Sequence, residues 1–235
     1  HTLRDYYLGC INSNAMNCGK KCIRLKLVSR LSSKMVDMVI GNSQYILDWH
    51  IKRKYFPSAV QKVIFNGYSH TVKNSLEIKK DKSVVFGYIG GLSSDKGVDL
   101  LCQQFEKFQM LSKLNNKLII AGKGDPLFVD NLVKKYSSNN VHFIGYSSPT
   151  DFYKMVHWNV VPSIWNEPLA RVCFEPKFYG IPVISSCRGG NPEAINDQSN
   201  GLLFDPSIED DLLDKFFLTE KVNYDEYSRN SFNDR

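Results

Sequence analysis

The sequence predicts an α/β protein built on parallel sheets, with one complete Rossmann-like domain and part of a second. Three observations carry this expectation. From residue 84 onward, short β-rich runs alternate with longer helical patterns, as in a parallel sheet wrapped by helices. Several of those runs end in glycine, the turn chemistry that follows a strand. Before residue 80 the same elements occur but are too few for a whole domain, which usually needs roughly a hundred residues or more.

The elements follow in order. His1-Thr2-Leu3 reads as the end of a strand, which suggests that the chain is a fragment. A helix is expected through Ser29 to Lys34, then the strand M-V-D-M-V-I-G-N-S, a helix from Gln44 to about Lys54, and the strand K-V-I-F-N-G-Y. The N-G pair and S-H-T make an exit turn and linker. V-V-F-G-Y-I-G-G then enters a glycine turn, and Gly97 to Met110 sets Val98, Leu101, Phe105 and Phe108 at helical spacing. K-L-I-I-A-G is a strand, Pro126 opens a helix through Lys135, V-H-F-I-G is a strand, and Pro149 opens the next helix. W-N-V-V-P is a buried strand, Leu169 to Tyr179 a helix closed by Gly180, I-P-V-I-S-S a strand, and Glu209 to Phe217 a last amphipathic helix. The expected domains are 1–78, the partial one, 79–217, the complete one, and 218–235, a tail.

The chain has 235 residues, 43% hydrophobic and 23% charged, enough for a sizeable core. No apolar run approaches a membrane span and the first residues do not read as a signal peptide, so the cytoplasm is the default location. Residues 1–80 hold 14 Lys and Arg against 4 Asp and Glu, a net of +10, while the remainder carries −4. That suggests an anionic partner, a membrane surface or a phosphate-bearing substrate, although Lys20 to Lys34 and Lys52 to Lys54 also read as solvated helix faces. The cysteines at 10, 18, 22, 102, 173 and 187 suit reduced thiols, since Cys10, Cys18 and Cys22 match no paired zinc spacing.

In parallel sheets, ligands bind beyond the carboxyl ends of the strands, so the turns there are where chemistry belongs. The turns are Gly90 to Gly97, Gly122 to Pro126, Gly145 to Ser148, Ser163 to Leu169 and Cys187 to Asn191. G-G-L-S-S-D-K-G puts Lys96 before a helix start, a site that suits phosphate, although a lone lysine there reads more readily as a solvated side chain. Neither a P-loop nor a dinucleotide fingerprint is present. S-I-W-N-E-P-L-A-R-V-C-F-E spaces Glu167 and Glu175 eight apart, with Pro168 keeping Glu167 in the loop and Glu175 on the helix that follows. Beside a phosphate site, such carboxylates serve better as acceptors from sugar and ribose hydroxyls. A helix-start Glu and a surface Glu account for the pair without any ligand.

The order G-G-L-S-S-D-K-G, I-I-A-G-K-G, V-H-F-I-G-Y, P-S-I-W-N-E-P-L-A-R-V-C-F-E, G-I-P-V-I-S-S-C-R-G-G-N-P-E resembles the C-terminal domain of glycosyltransferase family 4, whose fold is GT-B. The donor half would run from about Lys82 to Asp211. The resemblance implies a hexosyltransferase-like enzyme that moves a sugar, with retention, from a nucleoside diphosphate sugar to a saccharide or lipid-linked hydroxyl acceptor in surface-polysaccharide or glycolipid synthesis. It implies no metal, in keeping with the lack of a D-x-D motif, and no cofactor or nucleic acid. It also implies catalytic roles for Glu167 and Lys96, with the N–H groups near Leu169, Ala170 and Arg171 stabilising the diphosphate. Glu175 would bind ribose and Glu167 the sugar, while Gly90, Gly91, Gly122 and Gly145 line the site and Tyr146 packs or stacks on the base.

Three positions depart from the family. Gly91 stands where the family commonly has Arg, so Arg171 or Arg188 would have to substitute. Ala170 replaces the usual Gly, and Arg4 replaces an active-site His that precedes Asp5. Two other functions fit the residues: a donor-binding module without turnover, and an epimerase of nucleotide sugars, the latter fitting E-P-L-A-R less well. The basic N-terminal part is expected to face a membrane.

Overall fold

The computed structural model describes residues 1–10, 21–67 and 83–234, and these form an α/β protein with parallel sheets. Cys18, Lys20, the Ser69-His70-Thr71 linker and Lys82, named above, lie outside the described residues. The chain divides into two units. The smaller is His1–Ser69 with Trp165–Arg171 and Arg188–Ala194; the larger is His70–Ile164 with Val172–Cys187 and Ile195–Arg235. Two short loops distant in sequence therefore belong with the N-terminal segment, which a division at 78/79 does not anticipate.

In the smaller unit, the strands β1 (Thr2–Leu3), β2 (Met38–Gly41) and β3 (Val60–Val63) pair in parallel in that order. The helix α1 (Lys21–Ser33) lies between β1 and β2 in sequence, and α2 (Gln44–Ile51) lies between β2 and β3. α1 begins well before Ser29, and α2 stops short of Lys54 because the chain turns at Lys54 and Phe56, both at positive φ, to bury Tyr55 and Phe56. β3 likewise ends at Val63 rather than continuing through Asn66. Leu3, Val39, Ile46, Leu47, Tyr55 and Phe56 form the core.

His50 is fully buried among Trp49, Tyr55 and Phe56. Its Nδ1 lies 2.8 Å from the Ile46 carbonyl oxygen and so carries the hydrogen, which leaves Nε2 buried without a partner. Burial lowers the pKa of this ring.

The larger unit holds six parallel strands: β4 (Val85–Ile89), β5 (Lys117–Ala121), β6 (Val141–Gly145), β7 (Trp158–Val161), β8 (Val183–Ser186) and β9 (Gly201–Phe204). Their order, β6-β5-β4-β7-β8-β9, starts the chain at the centre and sends it first to one edge and then to the other. Buried on both faces, β7 and β8 read as continuous runs rather than alternating ones. The helices α3 (Val98–Leu111), α4 (Pro126–Tyr136), α5 (Pro149–Tyr153), α6 (Asp211–Lys221) and α7 (Tyr224–Asn233) complete the unit. Asp125 and Ser148 cap α4 and α5, each followed by proline, whose missing N–H is no loss at a helix start.

Residues 218–235, expected as a tail, hold the end of α6 and all of α7. Tyr224, Tyr227 and Ser231 fall on one face of α7 and are buried, with the Tyr227 ring 5.3 Å from Trp158. That spacing is a helical signal the sequence did contain. β9 is a further element not anticipated.

One face of the sheet is covered by α3 and α6 through an aromatic cluster. The Phe216 ring lies 4.7 Å from Phe86 and 5.4 Å from Phe108, with Phe105 at 6.0 Å, and all four are fully buried. Replacing Phe216 by Ala should cost about 3–5 kcal/mol in urea unfolding. Met110→Ala, at an 82% exposed side chain, should stay within about 0.5 kcal/mol.

The sign at His50 follows from its lowered pKa. Below about pH 6.5 the unfolded ring binds a proton that the folded ring resists, so stability falls as the pH drops toward the folded value. His50→Gln should flatten that acid-side slope in pH-dependent unfolding of the smaller unit; an unchanged slope would assign it to other groups.

Candidate functional site

The chain order of the larger sheet reverses between β4 and β7, and in such sheets the crevice beyond the carboxyl ends at that point holds ligands. Here the loops after three strands lock together through their backbones. Gly90 N donates to the Ala121 carbonyl at 3.0 Å, Leu92 N to Lys123 at 2.9 Å and Gly122 N to Gly145 at 2.7 Å. The ladder thus continues past β4, β5 and β6 into a shelf of main chain. Tyr88 fixes its outer turn by donating its hydroxyl to the Gly91 carbonyl at 2.6 Å.

Lys96 ends a 3-10 turn, Ser94–Lys96, directly before Gly97 and α3. Ser93 Oγ holds the Asp95 carboxylate at 2.5 Å, and Ile164 N donates to the Asp95 carbonyl at 3.0 Å. Gly97 is left-handed, at φ 71°, and a Cβ there would overlap the Pro162 carbonyl oxygen. The loops after β4 and β7 can meet only because residue 97 lacks a side chain. Gly91, by contrast, is exposed, with open space where a Cβ would go.

Tyr146 follows β6 and is 72% exposed, with the Lys123 ammonium 5.5 Å from its ring centre. It does not pack as edge tyrosines commonly do; an open aromatic face beside a cation suits a planar guest.

The predicted helix from Leu169 to Tyr179 is replaced by two 3-10 turns, Arg171–Cys173 and Glu175–Tyr179. Pro176 is the reason: it has no N–H for the Val172 carbonyl four residues back, and its ring would collide with that carbonyl in a continuous helix. Val172 O is satisfied instead by Asn159 Nδ2 at 2.9 Å. Glu175 therefore opens the second turn, 3% exposed, with the Tyr153 hydroxyl 3.4 Å from Oε2. Gly180, left-handed, closes that turn as expected.

Glu167, Leu169, Ala170 and Arg171 belong to the smaller unit, apart from Lys96 and Glu175 in the larger. Glu167, Leu169 and Ala170 are buried and Arg171 is exposed. Their loop is held from several sides. Gly190 N donates to Glu167 O at 2.7 Å, Tyr6 OH to Asn166 O at 2.6 Å, and Ser43 Oγ to Pro168 O. Burial pushes the Tyr6 phenol well above its ordinary range, so it remains a donor. Ala170 N, expected to face phosphate, donates to Asn191 Oδ1 at 3.0 Å, so a phosphate there would have to displace or share that bond.

Glu193 spans the start of α2, accepting from Gln44 N and Tyr45 N at 2.7 Å each. Tyr6, Ser43, Asn191 and Glu193 were not singled out in the sequence. Only Ser43 had a legible signal, an N-cap residue before a helix, and it accepts from Ile46 N at 3.1 Å. Arg4 is exposed after β1, and Asp5 next to it accepts from Tyr7 N at 2.8 Å.

Residues 71–231 match the family model described as "Glycosyl transferases group 1". A protein of Klebsiella pneumoniae described as an uncharacterized 42.6 kDa protein in the cps region is 34% identical, covering 82% of this chain and 52% of its own length. The lipopolysaccharide 1,2-N-acetylglucosaminetransferase of Salmonella typhimurium is 27% identical, covering 74% of this chain and 51% of that enzyme. The chain thus spans about half the length of the curated relatives it matches. Among solved structures, Anabaena HepE in complex with UDP superposes with a TM-score of 0.77 at 19% identity, over 99% of this chain and 65% of that one. That likeness gives the fold as GT-B, with Rossmann-like parallel sheets.

The contrast between Gly97 and Gly91 is testable. Gly97→Ala should lower the thermal midpoint by several degrees through its clash with Pro162, whereas Gly91→Arg should leave it nearly unchanged. Equal losses would mean that the two loops are not locked as described.

Proposed function

On the premise that the chain belongs to the glycosyl transferases group 1 family, as its match over residues 71–231 shows, we propose that it is the donor-binding half of a retaining sugar transferase. The main-chain shelf beyond β4, β5 and β6 supports this reading: it and Lys96 lie at the carboxyl ends of the strands, where such sheets bind ligands and where a nucleoside diphosphate would be held. Lys96 would neutralise the diphosphate, Glu175 accept from the ribose hydroxyls and Tyr146 stack on the base. Glu167 would bind the sugar, with the backbone at Leu169, Ala170 and Arg171 serving the leaving diphosphate. The bond from the anomeric carbon to the diphosphate breaks, and the acceptor oxygen bonds to that carbon on the same face. The acceptor's proton departs with the diphosphate. Neither a metal nor a cofactor is assigned to this transfer.

HepE's complex makes UDP the first ligand to test. The relatives from a capsule region and from lipopolysaccharide synthesis support a role in surface polysaccharide or glycolipid assembly, with a saccharide or lipid-linked acceptor. Such work fits the cytoplasmic side of a membrane, with the basic N-terminal part toward an anionic lipid surface. Among the described residues no helix is long and apolar enough to cross a membrane.

The substitutions at Gly91 and Arg4 favour a second reading, in which this chain binds donor without turnover. Donor hydrolysis by a longer native form and not by this one would support that reading.

Two substitutions separate the roles. Lys96→Ala should weaken UDP binding in calorimetry by about tenfold or more and leave uridine almost unaffected. Glu175→Gln, of the same shape, should weaken UDP and uridine alike, by about tenfold. Equal loss of UDP and uridine in the lysine variant would remove its phosphate role, and undiminished binding in the glutamine variant would remove the ribose role.

A further inference from the structure

Asn191 is fully buried, and the two polar atoms of its side chain meet different surroundings. A backbone N–H needs an acceptor, so Oδ1 is the atom that faces Ala170 N, at 3.0 Å, and Nδ2 points the other way. Among the described residues Nδ2 has no hydrogen-bond partner. Buried donors are rarely left in that condition, and one that persists calls for a reason.

The position of the side chain is fixed by its neighbours. Gly190 N donates to Glu167 O at 2.7 Å, and a Cβ on Gly190 would overlap the Pro168 carbonyl oxygen, so the two loops lie main chain against main chain. Asn191 opens the short turn Asn191–Ala194, and Glu193 within it is tied to Gln44 N and Tyr45 N. This frame carries the carboxamide to the Ala170 N–H and brings the orphaned Nδ2 with it.

Two donors side by side, one of them bonded only to the other's own carboxamide, define the guest. An incoming oxygen can take the Ala170 N–H from Oδ1. Oδ1 would then face that oxygen, acceptor against acceptor, and the repulsion is relieved when the carboxamide turns over about its terminal bond, a broad two-fold torsion. Nδ2 then donates to the same oxygen. An anionic oxygen suits the place better than a hydroxyl, which brings a donor of its own. The loops that carry the two donors also carry cations, Arg171 directly after Ala170 and Arg188 three residues before Asn191. Of the carboxylates on the same loops, Glu193 is committed to the start of α2, and Glu167 is the residue assigned above to the sugar.

We propose that Asn191 is a diphosphate-binding residue of the donor site: its carboxamide gives up the Ala170 N–H to a phosphate oxygen, turns over, and donates Nδ2 to that oxygen. The inference rests on the donor-binding reading above and adds to it a residue that acts on the phosphate alone.

Calorimetry with UDP, GDP and ADP and with the three nucleosides tests it on Asn191→Ala and Asn191→Asp. For a diphosphate that the native chain binds, Asn191→Ala should weaken affinity about tenfold and leave the matching nucleoside unchanged. If the carboxamide did no more than cap Ala170, its removal would free that N–H for phosphate, and the diphosphate would bind as tightly as before or tighter; that result overturns the inference. Asn191→Asp keeps the outline and offers Ala170 an acceptor in either orientation, but it has no donor. It should keep the native thermal midpoint and lose the diphosphate by about a hundredfold, the added charge contributing. Native affinity in the aspartate variant overturns the inference even where the alanine variant fails to fold. A native chain that binds none of the three diphosphates removes the donor site itself and Asn191 with it, whereas native-level binding by the variants removes Asn191 alone.

Discussion

The carbonyl oxygen of Pro162 occupies the space that a side chain on residue 97 would need. Everything at the centre of the larger sheet is arranged around that approach of two main chains. Because Gly97 can take a left-handed turn, the loop after β4 closes on the loop after β7 and sets Lys96 at the head of α3. Ile164 and Asp95 add a hydrogen bond to the same seam, and the glycine-rich turns after β5 and β6 extend it sideways. A ligand site made of main chain is rigid at little cost in side-chain entropy, and it presents N–H and C=O groups in a spacing set by the sheet. Around that seam the larger unit sets main-chain groups, Lys96 and the buried carboxylate of Glu175.

Much of this was legible in the sequence, and the reasons for the rest are physical. Runs such as V-V-F-G-Y-I and K-L-I-I-A reveal themselves because a central parallel strand is apolar on both faces and must end in a turn, so β4 to β8 were predicted within a residue or two. The break at Pro176 was also in plain sight, since proline inside a helix has no N–H to offer. It was outweighed by the helical spacing around it. What no local pattern reveals is partnership across long separations. Asn191 reaches the Ala170 N–H, and Glu193 caps a helix that begins about 150 residues earlier; neither residue looks unlike an ordinary loop polar group in sequence. The same limitation hid the membership of Trp165–Arg171 and Arg188–Ala194 in the smaller unit.

The two units answer the problem of holding a carboxylate in different ways. Glu167 sits in a loop whose carbonyl oxygens are gripped one after another, by Tyr6 at Asn166, by Gly190 at Glu167 and by Ser43 at Pro168. Glu175 is held by burial at the start of a short turn with Tyr153 close by. The first arrangement fixes the path of the main chain and the second the surroundings of the side chain. α1 shows a third use of polarity: its buried serines bond to backbone groups, which frees the opposite face from any duty to the core.

The turn that carries Glu175 is also fastened from the far end of the chain. Lys177, two residues on, is buried and paired with Asp234, while Ser228 and Ser231 of α7 donate to the carbonyl oxygens of Gly180 and Ile181. Asp234 accepts from Asn200 as well, so one carboxylate near the C-terminus joins three stretches of backbone. A version of the protein cut at Phe217 would keep every strand of the larger sheet and yet lose the strap behind the Glu175 carboxylate. A frameshift or proteolytic nick in the last turn of α7 therefore acts on the turn that carries Glu175, which it never touches in sequence.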